Sequence, residues 1–291
     1  MAHRVWAEAQ PQLTLSRLKR TAVRFLRPLL NRVAGTIVPN RRRALRDEQA
    51  RQRGYEALVQ GLLQDPRVRS GPFAGMMYVS VPSWGHLAPL LIGAYESELH
   101  GALEQLIARG YDIVIDVGCA EGYYVAGCAR RLPDAIVHGF DMDPVALALC
   151  RQMADLNQVG ERVRLHDACT PEKLNELIHE RTLLIMDCEG REIDLLIPQR
   201  APRLEQADLL VELHDFLDHT ISERIVSRFE VTHEITLIDV KARDPRQYPE
   251  LDGWPASIQS MALDERRPVE PHPMQWGVFR SKSASRRHDR S

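Results

Sequence analysis

The sequence predicts an α/β fold in which seven mostly parallel strands form a doubly wound sheet, preceded by an N-terminal helical extension. Between residues 111 and 229, five short apolar runs alternate with stretches of helical periodicity, a pattern typical of parallel sheets covered by helices. Each run ends in at least one carboxylate. Because doubly wound sheets bind ligands at the carboxyl ends of their strands, we expect a Rossmann-like ligand site at this edge.

The first predicted strand leads into a glycine turn. The strand is apolar apart from Asp116, and the turn reads Asp-x-Gly-x-Ala-x-Gly through Gly118 and Gly122, with Glu121 inside it. Glycines let the backbone bend and let a ligand approach closely. The spacing differs from the dinucleotide fingerprint, and the absence of Lys from the turn excludes a phosphate loop. An acidic turn instead suits a cationic ligand that carries an amino-acid group.

The remaining elements follow along the chain at regular spacing. Strands are predicted at 135–143, 162–168, 182–190 and 207–216, and helices at 144–157, 171–180, 191–200 and 219–228. Asp143 stands before a Pro and is expected to cap its helix. A sixth strand is predicted within 229–245 and a closing strand at 275–281. The Pro-rich segment 244–274 is expected to form an irregular loop at the rim of the site.

Four segments resemble the class I S-adenosylmethionine-dependent methyltransferases and, within that class, the FkbM-type family. IDVGCAEGYY is similar to the glycine motif of the class, FDMDP to its ribose-binding acid, and HDA to its adenine-flanking segment. LIMDCEGREIDLL is similar to the Asp-x-Glu-Gly-x-Glu signature of the FkbM group. The resemblance covers roughly residues 71 to 240. It implies S-adenosylmethionine as the cofactor and a closing strand that lies antiparallel between its two neighbours.

The resemblance also implies which residues bind the cofactor. They are Asp116, Gly118, Ala120 and Gly122 in the glycine turn at the methionyl end, Asp141 at the ribose, and Met142, Asp167 and Ala168 at the adenine. Glu96 is expected in a helix before the first strand. It is either a further acceptor for the amino group of the ligand or a charge that faces solvent. The positive sulfonium of the cofactor suits a cleft lined by carboxylates.

The catalytic residues are expected at the ends of the fourth and fifth strands. Methyl transfer to a hydroxyl needs an aligned acceptor and a base that takes its proton. His214 is the first candidate for this base, and its alternative role is to cap the end of the strand. Asp187 is the second candidate, or a group that orients the substrate.

A metal ion is a further possibility at the same strand ends. Asp187, Glu189, His214 and Asp215 offer oxygen and imidazole ligands that suit Mg²⁺. They come from only two strand ends and lack a tight metal-binding spacing, so no metal site is predicted. Glu189 and Glu192 are also explained as structural acids, because Glu192 falls in the first turn of a predicted helix.

The N-terminal region is basic and the rest of the chain is acidic. Residues 1–60 contain 13 Lys and Arg against four Asp and Glu, whereas the whole chain contains 38 and 40. Residues 14–35 predict a basic amphipathic helix, which either contacts an anionic membrane surface or a polyanion, or packs on the catalytic domain. Its uninterrupted apolar stretch is too short to span a bilayer. Five cysteines without a Cys-x-x-Cys pair, and no evident secretory signal, indicate reduced thiols and a cytoplasmic location.

These features predict four regions. They are a basic helical extension at 1–70, a linker or substrate-covering segment at 71–94, the methyltransferase domain at 95–281 and a disordered tail at 282–291. The leading function is O-methylation of a small molecule or a glycan-type hydroxyl.

Two alternatives of other classes stay open. A nucleic-acid methyltransferase would use the basic arm, but the chain lacks an Asn/Asp-Pro-Pro-Tyr/Phe loop and its acidic domain would repel phosphates. A cofactor-binding module without catalysis is the second alternative. The sequence does not decide the identity of the acceptor or the oligomeric state.

Overall fold

A seven-stranded sheet organises the described part of the chain, which comprises residues 39–80, 87–265 and 274–283 of a computed structural model. The strands are β1 Ile113–Val117, β2 Ile136–Phe140, β3 Val163–His166, β4 Thr182–Met186, β5 Asp208–Leu213, β6 His233–Asp239 and β7 Gln275–Ser281. Their spatial order is β3-β2-β1-β4-β5-β7-β6. The five strands from β1 to β5 are parallel, and β7 pairs antiparallel with both β5 and β6. The predicted Rossmann-like sheet, including the inserted last strand, is confirmed.

Helices connect the strands. They are α1 Pro39–Leu62, α2 Leu87–Ile92, α3 His100–Arg109, α4 Tyr123–Arg131, α5 Pro144–Leu156, α6 Pro171–Leu177, α7 Glu192–Leu195, α8 Ile221–Phe229 and α9 Ala256–Ala262. Asp143 caps α5 as predicted, since its side chain accepts a hydrogen bond from the backbone N–H of Val145 at 2.8 Å. None of the helices in the described ranges is long and apolar enough to cross a membrane.

The register of the strands brings the predicted acids to one edge. Val117 at the end of β1 pairs with Phe140 at the end of β2 and with Met186 at the end of β4. The residue that follows each of these positions therefore leaves the sheet at the same level, and these residues are Gly118, Asp141 and Asp187. The central strands hold this edge rigidly, because every residue of β4 and β5 is buried.

The chain divides into two units, residues 1–57 and 58–291. The boundary between these units lies within α1, and the four regions defined from the sequence stay a prediction. The segment 71–80 contributes to the core of the second unit, because Phe73, Met76 and Tyr78 are buried, so this part is packed structure rather than a linker. Residues 244–265 also differ from the predicted irregular loop. They contain two 3-10 turns, at Pro245–Gln247 and Pro249–Leu251, in addition to α9.

Some sequence predictions fall outside the described residues. These are the amphipathic helix at 14–35 and most of the tail, residues 284–291. Within the predicted basic helical extension, Pro39–Leu62 form α1.

One buried carboxylate joins three parts of the second unit. Asp208, at the start of β5, accepts hydrogen bonds from Arg109 Nε at 2.7 Å, from the Tyr111 hydroxyl at 2.7 Å and from the Ser281 backbone N–H at 2.8 Å. It thereby links the end of α3, the entry to β1 and the end of β7. Its side chain is 3% exposed, and Tyr111 and Ser281 are buried as well, so the donors of these two residues have no solvent acceptor that could replace it.

We expect Asp208→Ala to lower the free energy of unfolding by about 3 kcal/mol, because buried donors lose a charged acceptor. Urea denaturation measures the loss. Asp112→Ala is the matched control, because Asp112 is 59% exposed and pairs with Arg181 only at 3.5 Å; this change should cost less than about 1 kcal/mol. Equal losses for the two variants would contradict the structural role given to Asp208.

Candidate active site

The glycine turn lies against the end of β4. Gly118 adopts φ +86°, and a Cβ atom placed on it would lie 1.6 Å from the carbonyl oxygen of Asp187. The backbone N–H groups of Gly118 and Cys119 both donate to the carbonyl of Phe140, at 2.9 and 3.0 Å. Gly122 adopts φ +93°, and a Cβ atom there would meet Cys150 Sγ at 2.6 Å. Both glycines are therefore required by close approach as well as by backbone conformation.

Asp141, which follows β2, contacts the same turn. Its Oδ2 accepts a hydrogen bond from the Ala120 backbone N–H at 2.9 Å, and its Oδ1 accepts from the Asp143 N–H at 2.8 Å. Ala120 has φ +46°, a conformation unusual for a residue with a Cβ atom. The carboxylate of Asp141 thus holds the turn, and each of its oxygens has a second lone pair for a ligand hydroxyl.

Asp116 offers a buried acceptor next to the turn. The residue is 2% exposed, and its Oδ2 has no hydrogen-bond partner. Burial raises the pKa of Asp116 well above its usual range, and the nearby carboxylates of Asp187, Asp141 and Glu96 raise it further. A cation bound at this point would satisfy the oxygen and offset the accumulated negative charge.

Glu96 is buried rather than solvent-facing. It is 2% exposed and precedes a 3-10 turn at Ser97–Leu99, not the predicted helix. Its backbone has φ +47°. The Tyr124 hydroxyl donates to its Oε2, and its backbone N–H donates to Glu265 Oε1 at 2.9 Å. Of the two roles expected for Glu96, burial favours that of an acceptor inside the site.

The residues expected at the adenine lie on an open surface beside Asp141. The Asp141 backbone N–H donates to the His166 carbonyl at 3.1 Å, which joins the ends of β2 and β3. Asp167 and Ala168 follow β3 and are exposed, and Met142 is 87% exposed. These three residues share the edge with the glycine turn, as expected. The structure gives no closer contact that would assign them to a ligand.

His214 lies under a group of acids at the ends of β4 and β5. Its Nδ1 lies 2.8 Å from Glu192 Oε1, and the same oxygen accepts the His214 backbone N–H at 3.2 Å. Its Nε2 lies 3.4 Å from Asp187 Oδ1, and 3.8 Å from both Glu189 and Glu212. The side chain of His214 is 1% exposed, whereas that of Asp187 is 31% exposed. Asp187 is therefore the member of this pair that solvent or a substrate reaches.

These contacts do not suit the predicted role of His214 as a base. Burial alone would lower the pKa of His214, but the hydrogen bonds to Asp187 and Glu192 and their negative charges raise it to about 10. The imidazole is then protonated at neutral pH and has no capacity to accept a proton. Of the two predicted candidates, the geometry favours Asp187.

One group in the described part of the chain has the ligand types and spacing that a metal ion accepts. It consists of Asp187, Glu212 and His214, whose ligand atoms lie within 4.8 Å of one another. It differs from the set considered from the sequence, because Glu212 takes the place of Glu189 and Asp215. Asp215 is directed elsewhere, since its Oδ1 accepts the backbone N–H of Ser222 at 2.8 Å.

The sequence did not predict the roles of Glu192 and Glu212 in the site. Glu192 was explained by the helix dipole, but it is fully buried and holds His214. Glu212 could have been found from strand periodicity, because Glu212 and His214 are two residues apart in an extended segment and share one face. The contact of Glu192 with His214 joins residues 22 positions apart, and no local pattern indicates it.

Curated relatives match only part of the chain. A release factor glutamine methyltransferase of Chlorobaculum tepidum is 32% identical over 136 residues, which are 44% of this chain and 43% of that protein. A release factor glutamine methyltransferase of Synechocystis sp. is 38% identical over 63 residues, which are 22% of this chain and 21% of that protein. The chain thus spans less than half the length of these relatives. Both are methyltransferases, in agreement with the predicted enzyme class. No family model matches the chain.

Two solved structures with remote similarity carry methylase or methyltransferase names. An rRNA methylase of Streptococcus thermophilus has a TM-score of 0.43 and 13% identity, over 64% of this chain and 98% of that one. The O-methyltransferase TomG of Streptomyces achromogenes, solved in complex with S-adenosylmethionine, has a TM-score of 0.41 and 12% identity, over 62% of this chain and 81% of that one.

We expect Gly118→Ala to lower the free energy of unfolding by at least about 2 kcal/mol, because the new Cβ meets the Asp187 carbonyl and φ is positive. Gly101→Ala is the control, since a Cβ at Gly101 in α3 would meet nothing within 4 Å. That change should be neutral or stabilise the protein by up to about 1 kcal/mol. Thermal and urea denaturation measure both variants. A stable Gly118→Ala protein would show that β1 and β4 are not in the contact described.

Proposed function

We propose that this protein is an S-adenosylmethionine-dependent methyltransferase of the FkbM type that methylates a hydroxyl group of a small molecule or glycan. The observation that carries the proposal is the buried carboxylate of Asp116, whose Oδ2 has no hydrogen-bond partner, at the entrance to a glycine turn. A positively charged amino-acid group is the ligand that such a position suits best. The partial relatives, both methyltransferases, support the same class of enzyme.

The residues at the turn fit this cofactor. Asp116 and Glu96 would accept hydrogen bonds from its amino group, and the carboxylate of Asp141 would accept those of the ribose hydroxyls. Gly118 and Gly122 would leave room for the ligand beside the backbone. When bound, S-adenosylmethionine supplies a methyl group on a positively charged sulfur.

Asp187 is the base in this proposal. It lies at the same edge as the turn, it is partly exposed, and its Oδ1 faces the Nε2 of His214 at 3.4 Å. The hydroxyl proton of the acceptor would pass to Asp187 while the acceptor oxygen forms its bond to the methyl carbon. The bond between that carbon and the sulfur of the cofactor would break, and its electron pair would stay on sulfur. The protonated His214 would orient the carboxylate of Asp187 through their ion pair.

A second candidate function is methylation of a glutamine side chain in a protein. It is favoured by the names of the two partial relatives. It would replace the small-molecule acceptor by a protein partner. Either acceptor loses one proton when it is methylated, so Asp187 would serve as the base in both cases and the two functions are separated by the acceptor that is labelled.

Binding of the cofactor is tested by isothermal titration of the full chain with S-adenosylhomocysteine. We expect saturable binding with one site, and a dissociation constant at least about tenfold higher for Asp116→Asn, because the amide does not neutralise an ammonium group. Asp134→Asn, an exposed acid between α4 and β2, is the control and should bind as the wild type does. Absence of binding to the wild-type protein would contradict the proposed function.

The acceptor class is tested with methyl-labelled S-adenosylmethionine against three sets of acceptors: hydroxylated metabolites and glycans, glutamine-containing proteins, and RNA. We expect label in the first set, and a fall of at least about 100-fold in turnover for Asp187→Asn. Binding of S-adenosylhomocysteine to this variant should persist. Turnover should also persist in EDTA, because the orientation of Asp187 by His214 needs no metal. Label only in proteins or RNA would favour the corresponding alternative.

A further inference from the structure

A buried ion-pair network connects the segment after β6 to the acid Glu96. Arg243 Nη2 donates to Glu265 Oε2 at 2.7 Å and to Glu98 Oε2 at 3.0 Å, and Arg243 Nε donates to the Ala94 carbonyl at 3.2 Å. The exposed fractions of the three charged side chains are 7% for Arg243, 0% for Glu98 and 4% for Glu265. A planar guanidinium that holds two carboxylates and a carbonyl has a single orientation.

The second oxygen of Glu265 reaches the site itself. Glu265 Oε1 accepts the backbone N–H of Glu96 at 2.9 Å. Glu96 has φ +47°, a conformation that a residue with a Cβ atom adopts only when its surroundings hold it there. The carboxylate of Glu265, fixed by Arg243, is one such restraint. It acts on the main chain of Glu96 and leaves the side chain of Glu96 directed to Tyr124.

The position of Glu96 determines where negative charge lies in the site. Glu96 and Asp116 are both 2% exposed, and burial together with the charges of Asp187, Asp141 and Glu96 raises the pKa of Asp116. An ammonium group bound beside the two buried acids would offset their negative charge. The unpartnered Oδ2 of Asp116 supplies an acceptor that such a group would meet.

We propose that Glu265, oriented by Arg243, is a positioning residue that fixes the backbone of Glu96 so that Glu96 and Asp116 together recognise the α-amino group of the cofactor. The inference rests on the proposed function. It assigns to the segment after β6 a role in the selection of ligands that carry an amino acid. Glu265 does not touch the ligand in this proposal; it acts through Glu96.

Two adenosine ligands separate this role from a general effect on the fold. S-adenosylhomocysteine carries the α-amino group, and 5′-methylthioadenosine lacks the whole amino-acid portion. Both are titrated into the full chain by calorimetry. We expect Glu265→Gln to weaken binding of S-adenosylhomocysteine by about tenfold, because the neutral side chain no longer holds both Arg243 and the Glu96 N–H. Binding of 5′-methylthioadenosine should change by less than about twofold.

Glu98→Gln is the matched control, because Glu98 is an equally buried partner of Arg243, whereas Glu265 is the acceptor of the Glu96 backbone N–H. It should lower the melting temperature while the ratio of the two affinities stays at the wild-type value. If Glu265→Gln does not fold at the titration temperature, Arg243→Lys replaces it and should shift the same ratio, because Lys cannot hold two carboxylates as a fork.

Equal weakening of both ligands by Glu265→Gln, or an unchanged affinity for S-adenosylhomocysteine, would overturn the positioning role. The same ratio shift in Glu98→Gln would also overturn it, because the effect would then follow the loss of any partner of Arg243. These results differ from failure of the proposed function itself, in which the wild-type protein binds neither ligand.

Discussion

The close contact between β1 and β4 is the constraint on which the site depends. The N–H of Asp187 donates to the carbonyl of Val117 at 2.9 Å, and the carbonyl of Asp187 occupies the space that a side chain on Gly118 would need. The turn after β1 and the acid after β4 thus meet directly through backbone atoms. Every other functional group is arranged around this contact, because Asp141 ties the turn to β2 and His214 meets Asp187 from β5.

Concentrated negative charge is the second constraint. Asp116 and Glu96 on one side, and Glu192 and Glu212 on the other, are all buried. Buried carboxylates are costly unless hydrogen bonds or opposite charges compensate them. Glu96 accepts a hydrogen bond from Tyr124, and Glu192 accepts one from His214. Asp116, in contrast, retains an oxygen without a hydrogen-bond partner. The electrostatic cost at Asp116 is explained if a cationic ligand completes the site.

The arrangement around His214 shows how burial changes a chemical role. A histidine at the end of a strand is a common candidate for a base. Here Glu192 fixes one nitrogen and Asp187 faces the other, so the imidazole carries a proton at neutral pH. The exposed partner, Asp187, becomes the group that meets an acceptor. The exposed fraction of 1% for His214 against 31% for Asp187 decides this exchange of roles.

The strands of the sheet and the acidic residues at its carboxyl edge follow from local patterns in the amino-acid sequence. Apolar runs of strand length, separated by helical periods, specify parallel strands because each run must be buried on both faces. Since parallel strands end at one edge, Asp116, Asp141 and Asp187 had to lie together. Asp143 before Pro144 was likewise readable as a cap, because a cap is a local interaction.

The role of each acid depends on contacts that form only in the folded protein. The hydrogen bond that Glu192 accepts from His214 spans 22 residues, and the one that Glu265 accepts from the Glu96 backbone N–H spans 169. Such contacts depend on how α7, β5 and the segment after β6 pack, which no local periodicity encodes. The sequence left open whether Glu96 is buried or faces solvent, because its burial also depends on this long-range packing. Sequence patterns specify which face of an element is apolar, whereas the pKa and the partner of a charged group depend on everything that surrounds it in space.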